Sequence, residues 1–221
     1  MAIAFVKHVG SGTSSMSTTT AVTVPAAGVA SGTMCSLRIE LNVRGTVTVA
    51  DTQGNTWTER KQQDYGSVSR LHVFDCAVGT TLASGNTITA THSKGDGQSA
   101  VDQWSGVGAF VIDASATGTS TTPSSGAITT GADSLVLGVV ANAGTTYTED
   151  ADSDGGDTWH TLTAMADEVY AAYKIPTSGV SQTYNITLDA SHAWAAVIAE
   201  WAATTDPRVP RRTPYPQLLA H

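Results

Sequence analysis

Charge is what this chain has least of. Asp, Glu, Lys and Arg make up 14% of its 221 residues, against about a quarter in an ordinary globular domain. Basic side chains are the scarcer sign, 11 Lys/Arg against 19 Asp/Glu, for a net charge of −8. Residues 1–205 carry eight Lys/Arg against eighteen Asp/Glu, so direct nucleic-acid binding by the body is disfavoured. There are two cysteines, Cys35 and Cys76, and no CxxC or Cys/His cluster. That excludes a disulfide framework and argues against structural zinc. Two buried thiols are the plainer reading of the pair, and spacing alone does not decide whether they form a disulfide. No apolar run reaches the roughly 18 residues of a membrane helix. The segment beginning Met1–Ala2–Ile3 lacks the basic start and long apolar core of a secretory signal. The expectation is a protein made and folded in a cytoplasm, with no membrane partner.

Thr, Ser, Gly and Ala stand where charge is missing. Apolar residues recur with period two, as in Leu37, Ile39, Leu41 and Val43 alternating with Arg38, Glu40 and Asn42, the pattern of a half-buried strand. Gly, Asn, Asp and Ser clusters punctuate such runs every 8–12 residues or so, a sandwich cadence. Ala193–Trp201 reads as a buried strand, because its counterpart Ser99–Trp104 is too short and mixed for a helix. The fold class expected is all-β and antiparallel.

A colinear internal repeat runs through the chain. Phe5–Val6–Lys7 matches Phe110–Val111–Ile112, and Ser36–Leu41 matches Ser134–Val139. The Asp51-to-Trp57 turn matches Asp152-to-Trp159, Phe74 matches Tyr173, Thr87–Thr89 matches Asn185–Thr187, and Trp104 matches Trp201. The expectation is a tandem duplicated β-sandwich, jelly-roll or Ig-like, with repeat 1 at 1–106 and repeat 2 at 107–205. Residues 206–221 differ: four prolines in sixteen residues exclude helix and central strand. They read as an extended C-terminal arm whose Arg208, Arg211, Arg212, Tyr215, Leu218 and Leu219 suit a partner interface.

Few constellations suggest chemistry. Trp57, Trp159, Trp104 and Trp201 repeat with the fold and read as core. Trp194 has no counterpart and is the candidate exposed aromatic for a carbohydrate. Asp150, Asp152, Asp154 and Asp157 resemble the start of an EF-hand loop, but Thr161 stands where the bidentate Glu belongs. The loop reads as a solvated turn, with a weak calcium site as the alternative. The six histidines show no metal-ligand spacing, and there is no GxSxG nucleophile elbow. A Ser/His/Asp triad assembled from distant segments finds no support in the sequence. Glu40, Glu59, Glu168 and Glu200 fit ordinary strand positions rather than a glycosidase pair. No cofactor is expected, and the reading is of a non-enzymatic protein.

The turn Asp51–Thr52–Gln53–Gly54–Asn55–Thr56–Trp57, the strand ending in an aromatic, the Thr87–Ile88–Thr89 strand and the Gln103–Trp104–Ser105–Gly106 ending together resemble a module of actinobacterial phages and related bacterial genomes. The resemblance covers roughly residues 33–203, and its motifs are turn and core motifs. It implies a structural virion protein, most of all a capsid decoration or minor capsid protein. Such a protein binds the major capsid protein or other virion subunits and its own copies. The alternative it implies is a tail- or fibre-associated carbohydrate-binding module. Low-charge, hydroxyl-rich sheet faces are easily buried in assemblies, which agrees with the first.

Overall fold

A computed structural model describes residues 1–142, 146–165 and 169–204. The arm residues Arg208, Arg211, Arg212, Tyr215, Leu218 and Leu219 lie outside them, as does Glu168. The first half contributes β1 (Ala4–Thr23), β2 (Met34–Leu41), β3 (Thr48–Asp51), β4 (Thr58–Tyr65), β5 (Ser69–Ala77) and β6 (Thr87–Ser105). The second half contributes β7 (Val107–Ser120), β8 (Ile128–Thr129), β9 (Leu135–Asn142), β10 (Tyr147–Thr148), β11 (His160–Thr161), β12 (Val169–Lys174), β13 (Ser181–Gln182), β14 (Thr187–Leu188) and β15 (His192–Ala203). All pairings are antiparallel.

The first main sheet runs β1-β6-β2-β5-β4, and the second runs β7-β15-β9-β12-β11. Position by position, the two orders correspond. In the first half the start of β6 also pairs with β3, and in the second half β14 takes that role against β10. The β1/β6 ladder is bent by register shifts near Ser14–Ser17 opposite Gly95 and Gly97. Its far end therefore folds back over its own sheet, the way a strand turns a sandwich corner. Gly10 and Gly12 mark the close approach: a Cβ at Gly12 would lie 2.1 Å from the Ala21 carbonyl oxygen.

Three cores stack through the molecule. Val22, Val24, Val29, Leu82 and Ile88 cover the outer face of the first sheet, against Cys35, Leu37, Ile39, Leu41 and Phe74. Ile128, Tyr184, Ile186 and Leu188 cover the outer face of the second, against Val136, Val140, Tyr170 and Ile198. The inner faces of both sheets meet in one shared core built on Met34, Leu71, Val73 and Trp104 from one side and Leu135, Leu137, Val139 and Trp201 from the other. The protein is thus two sandwich-like bodies joined through a common core.

That stacking explains a departure from the sequence reading. Alternation predicted Arg38 and Glu40 on a solvent face, yet Arg38 is 1% and Glu40 5% exposed. Every residue of β2 and of β9 is buried, because both strands are central and both sheets are covered on two sides. The ladders also shift two of the repeat matches. Leu135 lies opposite Trp201 as Met34 lies opposite Trp104. The correspondence of 36–41 with 134–139 is therefore displaced by three residues. Likewise Asp75, not Phe74, holds the ladder place of Tyr173. Ala193–Trp201 is a strand, within β15, as expected.

Candidate functional site

The inner face of the first sheet carries an unusual run of polar residues. Across β1, β6 and β2 its rows read Phe5–Trp104–Met34, His8–Asp102–Ser36, Ser11–Ala100–Arg38 and Thr13–Gln98–Glu40. In a regular strand residues three apart point to opposite faces. Here register shifts between Phe5 and Lys7 and between His8 and Gly10 insert one residue each. Those bulges bring Phe5, His8 and Ser11 onto one face.

The geometry of the middle rows is specific. His8 Nδ1 lies 2.9 Å from Asp102 Oδ1, and His8 Nε2 lies 3.1 Å from Ser11 Oγ. Arg38 Nη1 donates to the other oxygen of Asp102, and Arg38 Nη2 donates to the Thr163 carbonyl of the second half at 2.6 Å. Asp102 is fully buried, His8 partly exposed and Ser11 exposed. Burial pushes the Asp102 carboxyl up, but the Arg38 guanidinium and the His8 hydrogen bond outweigh it and hold the group below the usual carboxylate range. An ionised Asp102 takes the Nδ1 proton of His8 as its hydrogen bond, which leaves Nε2 to accept from the Ser11 hydroxyl.

The next row opens a polar cavity of about 430 Å³ at the rim between the sheets. Thr13, Gln98, Glu40, Tyr65 and Asp96 are among its lining. The Tyr65 hydroxyl donates to Glu40 Oε1 at 2.7 Å. Asp96 accepts from Met16 N at 2.8 Å, Ser15 Oγ at 3.0 Å and Asn42 Nδ2 at 2.9 Å. These donors, the Met16 amide first, hold the Asp96 carboxyl below its ordinary range. The cavity's lining is one of carboxylates, amides, hydroxyls and one phenol, and its volume falls within the range of small-molecule pockets.

The corresponding rows of the second sheet are apolar: Ala199–Leu137, Val197–Val139 and Ala195–Ala141 stand where Asp102–Ser36, Ala100–Arg38 and Gln98–Glu40 stand in the first. On the edge strand, Asp113 and Ser115 occupy the places of His8 and Ser11, without the extra bulge residue between them. They bond instead to Lys61 at 2.5 Å and Gln63 at 2.7 Å of β4.

The other residues singled out by sequence are placed as follows. Trp194 is 7% exposed. Its ring lies over Gly118 and its Nε1 donates to Ser120 at 3.0 Å. It is an outer-core residue, and the exposed platform expected of it is corrected accordingly: a bare glycine on β7 makes the slot the indole fills. In the acidic loop, Asp150 accepts from the amides of Asp152 and Asn185, and Asp152 accepts from the Asp154 amide and from buried Lys174. Asp157 accepts from the Thr158 and Ile175 amides and pairs with His160. Among the described residues no three His, Cys, Asp or Glu side chains gather as a metal site. Glu59 pairs with His72 at 2.6 Å, and Glu200 accepts from the Gly131 amide at 2.6 Å. Trp104 and Trp201 are core, Trp159 is outer core, and Trp57 is half-buried against the first outer core.

No family model, curated protein or solved structure matches this chain. The resemblance to phage modules therefore stands on the turn and core motifs alone. The His8–Ser11–Asp102 constellation escaped the sequence reading. Its only trace there is a His and a Ser three apart in a glycine-flanked strand, and the bulges that unite them leave no sequence mark.

Proposed function

We propose that this chain is a structural protein of a bacteriophage virion, a capsid decoration or minor capsid protein made of two fused copies of one sandwich unit. Support for the duplication comes from the ladders. Val6 fills a bulge between Phe5 and Lys7 opposite Trp104 and Gln103, and Val111 fills one between Phe110 and Ile112 opposite Trp201 and Glu200. Two independent sequences have no reason to place the same bulge, after the same Phe, opposite the same Trp.

The observation that carries the assembly role is the pair of outer edges. β1 and β7 end the two main sheets, pair on one side only among the described residues, and run 20 and 14 residues. Val6, Val111 and Ile112 on them are 46%, 52% and 41% exposed. A long edge with exposed apolar residues is a surface built to be covered. The shell and neighbouring copies of this chain cover it in this reading, and the 206–221 arm extends the contact. The test is a density map of the particle together with light scattering of the purified chain. Val6→Lys with Ile112→Lys abolishes incorporation if the edges bind. Full incorporation of that variant, or a shell without density for the chain, refutes the reading.

A second reading, a tail- or fibre-associated carbohydrate-binding module, is favoured by the cavity at Glu40, Gln98 and Tyr65 rather than by Trp194. A glycan screen with wild type and Glu40→Gln checks it: binding that is lost in the variant supports it, and no binding by wild type refutes it.

A further inference from the structure

We propose that Ser11, His8 and Asp102 form an acyl-transfer triad that hydrolyses small O-acyl esters of carbohydrates held in the adjacent cavity. The triad stands on its own geometry; only the carbohydrate part of the substrate rests on the second reading above.

Four observations converge. The first is the relay itself. A buried carboxylate on His Nδ1, with a Ser hydroxyl at 3.1 Å on Nε2, is the arrangement by which serine hydrolases are recognised regardless of fold or chain order. The second is that the equivalent rows of the other sheet do without the network. The matching rows of the other sheet build the same architecture from Ala199, Leu137 and Val139, so neither Asp102 nor Arg38 is demanded by the fold. Burying an ion pair costs desolvation that apolar residues of similar volume avoid. A cost incurred in one half only points to a use.

The third is how Ser11 is held. It sits between Gly10 and Gly12, where a Cβ would meet Val22 Cγ1 at 3.0 Å and the Ala21 carbonyl at 2.1 Å. The extra residue at the His8/Gly10 bulge, absent from the second half, turns the hydroxyl toward the imidazole. The fourth is the cavity. Its Thr13–Gln98–Glu40 row is the ladder row next to Ser11–Ala100–Arg38. Two residues along a strand span roughly 7 Å, which places a bound sugar ring within reach of an ester on one of its hydroxyls.

The chemistry balances with water alone. Ser11 Oγ attacks the ester carbonyl carbon while its proton passes to His8 Nε2. The tetrahedral adduct collapses, the bond to the sugar oxygen breaks, and that oxygen leaves with the proton from His8. Water then attacks the acyl-Ser11 carbonyl and gives a proton to His8. Collapse releases the carboxylic acid and returns the proton to Ser11 Oγ. Asp102 holds the Nδ1 tautomer and faces the imidazolium as it forms. Arg38 is a positioning residue that fixes the carboxylate of Asp102.

The experiment uses the full chain and a fluorophosphonate serine probe, read by intact mass and peptide mapping. One phosphonyl group on Ser11 is expected. Ser11→Ala loses it with unchanged thermal unfolding, and His8→Gln slows it on the order of 100-fold or more in a chain that circular dichroism shows folded at the labelling temperature. Hydrolysis of 4-nitrophenyl acetate follows the same order. An unlabelled wild type, a label on another serine, or equal rates in wild type and Ser11→Ala overturns the triad. An O-acetylated xylo-oligosaccharide tests the substrate class: acetate release lost in Glu40→Gln, with probe labelling retained, is expected. Labelling without acetate release by wild type overturns the carbohydrate ester and leaves the triad intact.

Discussion

Trp104 of the first half stands edge-on to Tyr173 of the second, with ring centroids 4.9 Å apart and planes at 75°. The reciprocal contact joins Trp201 to Asp75, where the indole N–H donates to Oδ2. Asp75 and Tyr173 hold the same ladder place in their sheets, as do the two tryptophans. Phe5 meets Trp104 edge-on at 5.2 Å, and Phe110 meets Trp201 the same way at 5.7 Å. The two sheets thus clasp each other as partners in a symmetric dimer do, each giving a Trp to a position on the other.

That clasp predicts a large and asymmetric response to mutation. Trp104→Ala and Trp201→Ala each empty a fully buried site and should cost about 3–5 kcal/mol. Trp201→Phe keeps most of the volume but removes the indole donor from Asp75, which keeps its bond from Arg60 at 2.9 Å. It should cost about 1–3 kcal/mol. Denaturant unfolding followed by Trp fluorescence measures all three, and a neutral Trp201→Phe would show that the Asp75 contact contributes nothing.

Gly138 gives a sharper case. A Cβ there would lie 2.3–2.7 Å from the Tyr184 ring, and Tyr184 is fully buried. The equivalent place in the first half is Leu37, which fills the outer core with its own side chain. Gly138→Ala should therefore cost about 1–3 kcal/mol or more by overpacking. Gly138→Leu combined with Tyr184→Ala should recover stability relative to Gly138→Leu alone. Thermal unfolding of the set decides it, and additivity of the two changes would contradict the exchange of volume.

The same position shows how far the sequence could be read. Period-two runs, turn clusters and matched tryptophans gave the fold class and the alternating strands, because those signals are local. Equating Leu37 with Leu135 failed because both runs are apolar at alternate positions, and only the ladder tells which face each set occupies. Arg38 and Glu40 read as solvent-facing because nothing local announces a second sheet over the first. The candidate site was harder still, since His8 and Ser11 meet through bulges and Asp102 arrives from 91 residues beyond Ser11.

The acidic loop yields a prediction about Lys174. Its ammonium is buried, bonded to Asp152 at 3.1 Å and Gln182 at 3.1 Å, and lies 5.1 Å from the Trp159 ring centre. Removing the counter-charge strands a buried cation. Asp152→Asn should cost about 1–3 kcal/mol, whereas Lys174→Met, which keeps the volume and removes the charge, should cost less. Urea midpoints for the two variants check this, and the reverse order would assign Asp152 to the solvent rather than to Lys174.

Cys35 and Cys76 face each other across the β2/β5 ladder, both buried and both free thiols. Burial first, and then Asp51 and Asp75, push the Cys76 thiol up to about 12; burial, then Cys76 itself and then Asp102 and Asp51, push that of Cys35 up further still. Since the thiolate is the reactive form, a disulfide reagent at pH 8 should modify neither in the folded protein and both in guanidinium. Rapid native labelling of either would place it at an accessible site.

Acid should unfold the protein through Asp102. Its carboxyl titrates lower in the fold than in the unfolded chain, whose ordinary value is about 3.9. The unfolded state therefore binds the proton first as pH falls, and folding stability declines. The contribution is fully present above about pH 5 and is lost as pH drops through the depressed folded value. Asp157 adds to the same limb: burial raises its carboxyl, and the Ile175 amide, His160 and the Thr158 amide outweigh that and lower it. Asp102→Asn should unfold about 3–5 kcal/mol more easily at pH 7, because Arg38 is left buried without its counter-charge. Its stability should also fall less between pH 5 and pH 3 than that of wild type. Urea unfolding at both pH values measures the two slopes, and parallel slopes would mean that Asp102 titrates alike in the folded and unfolded chain.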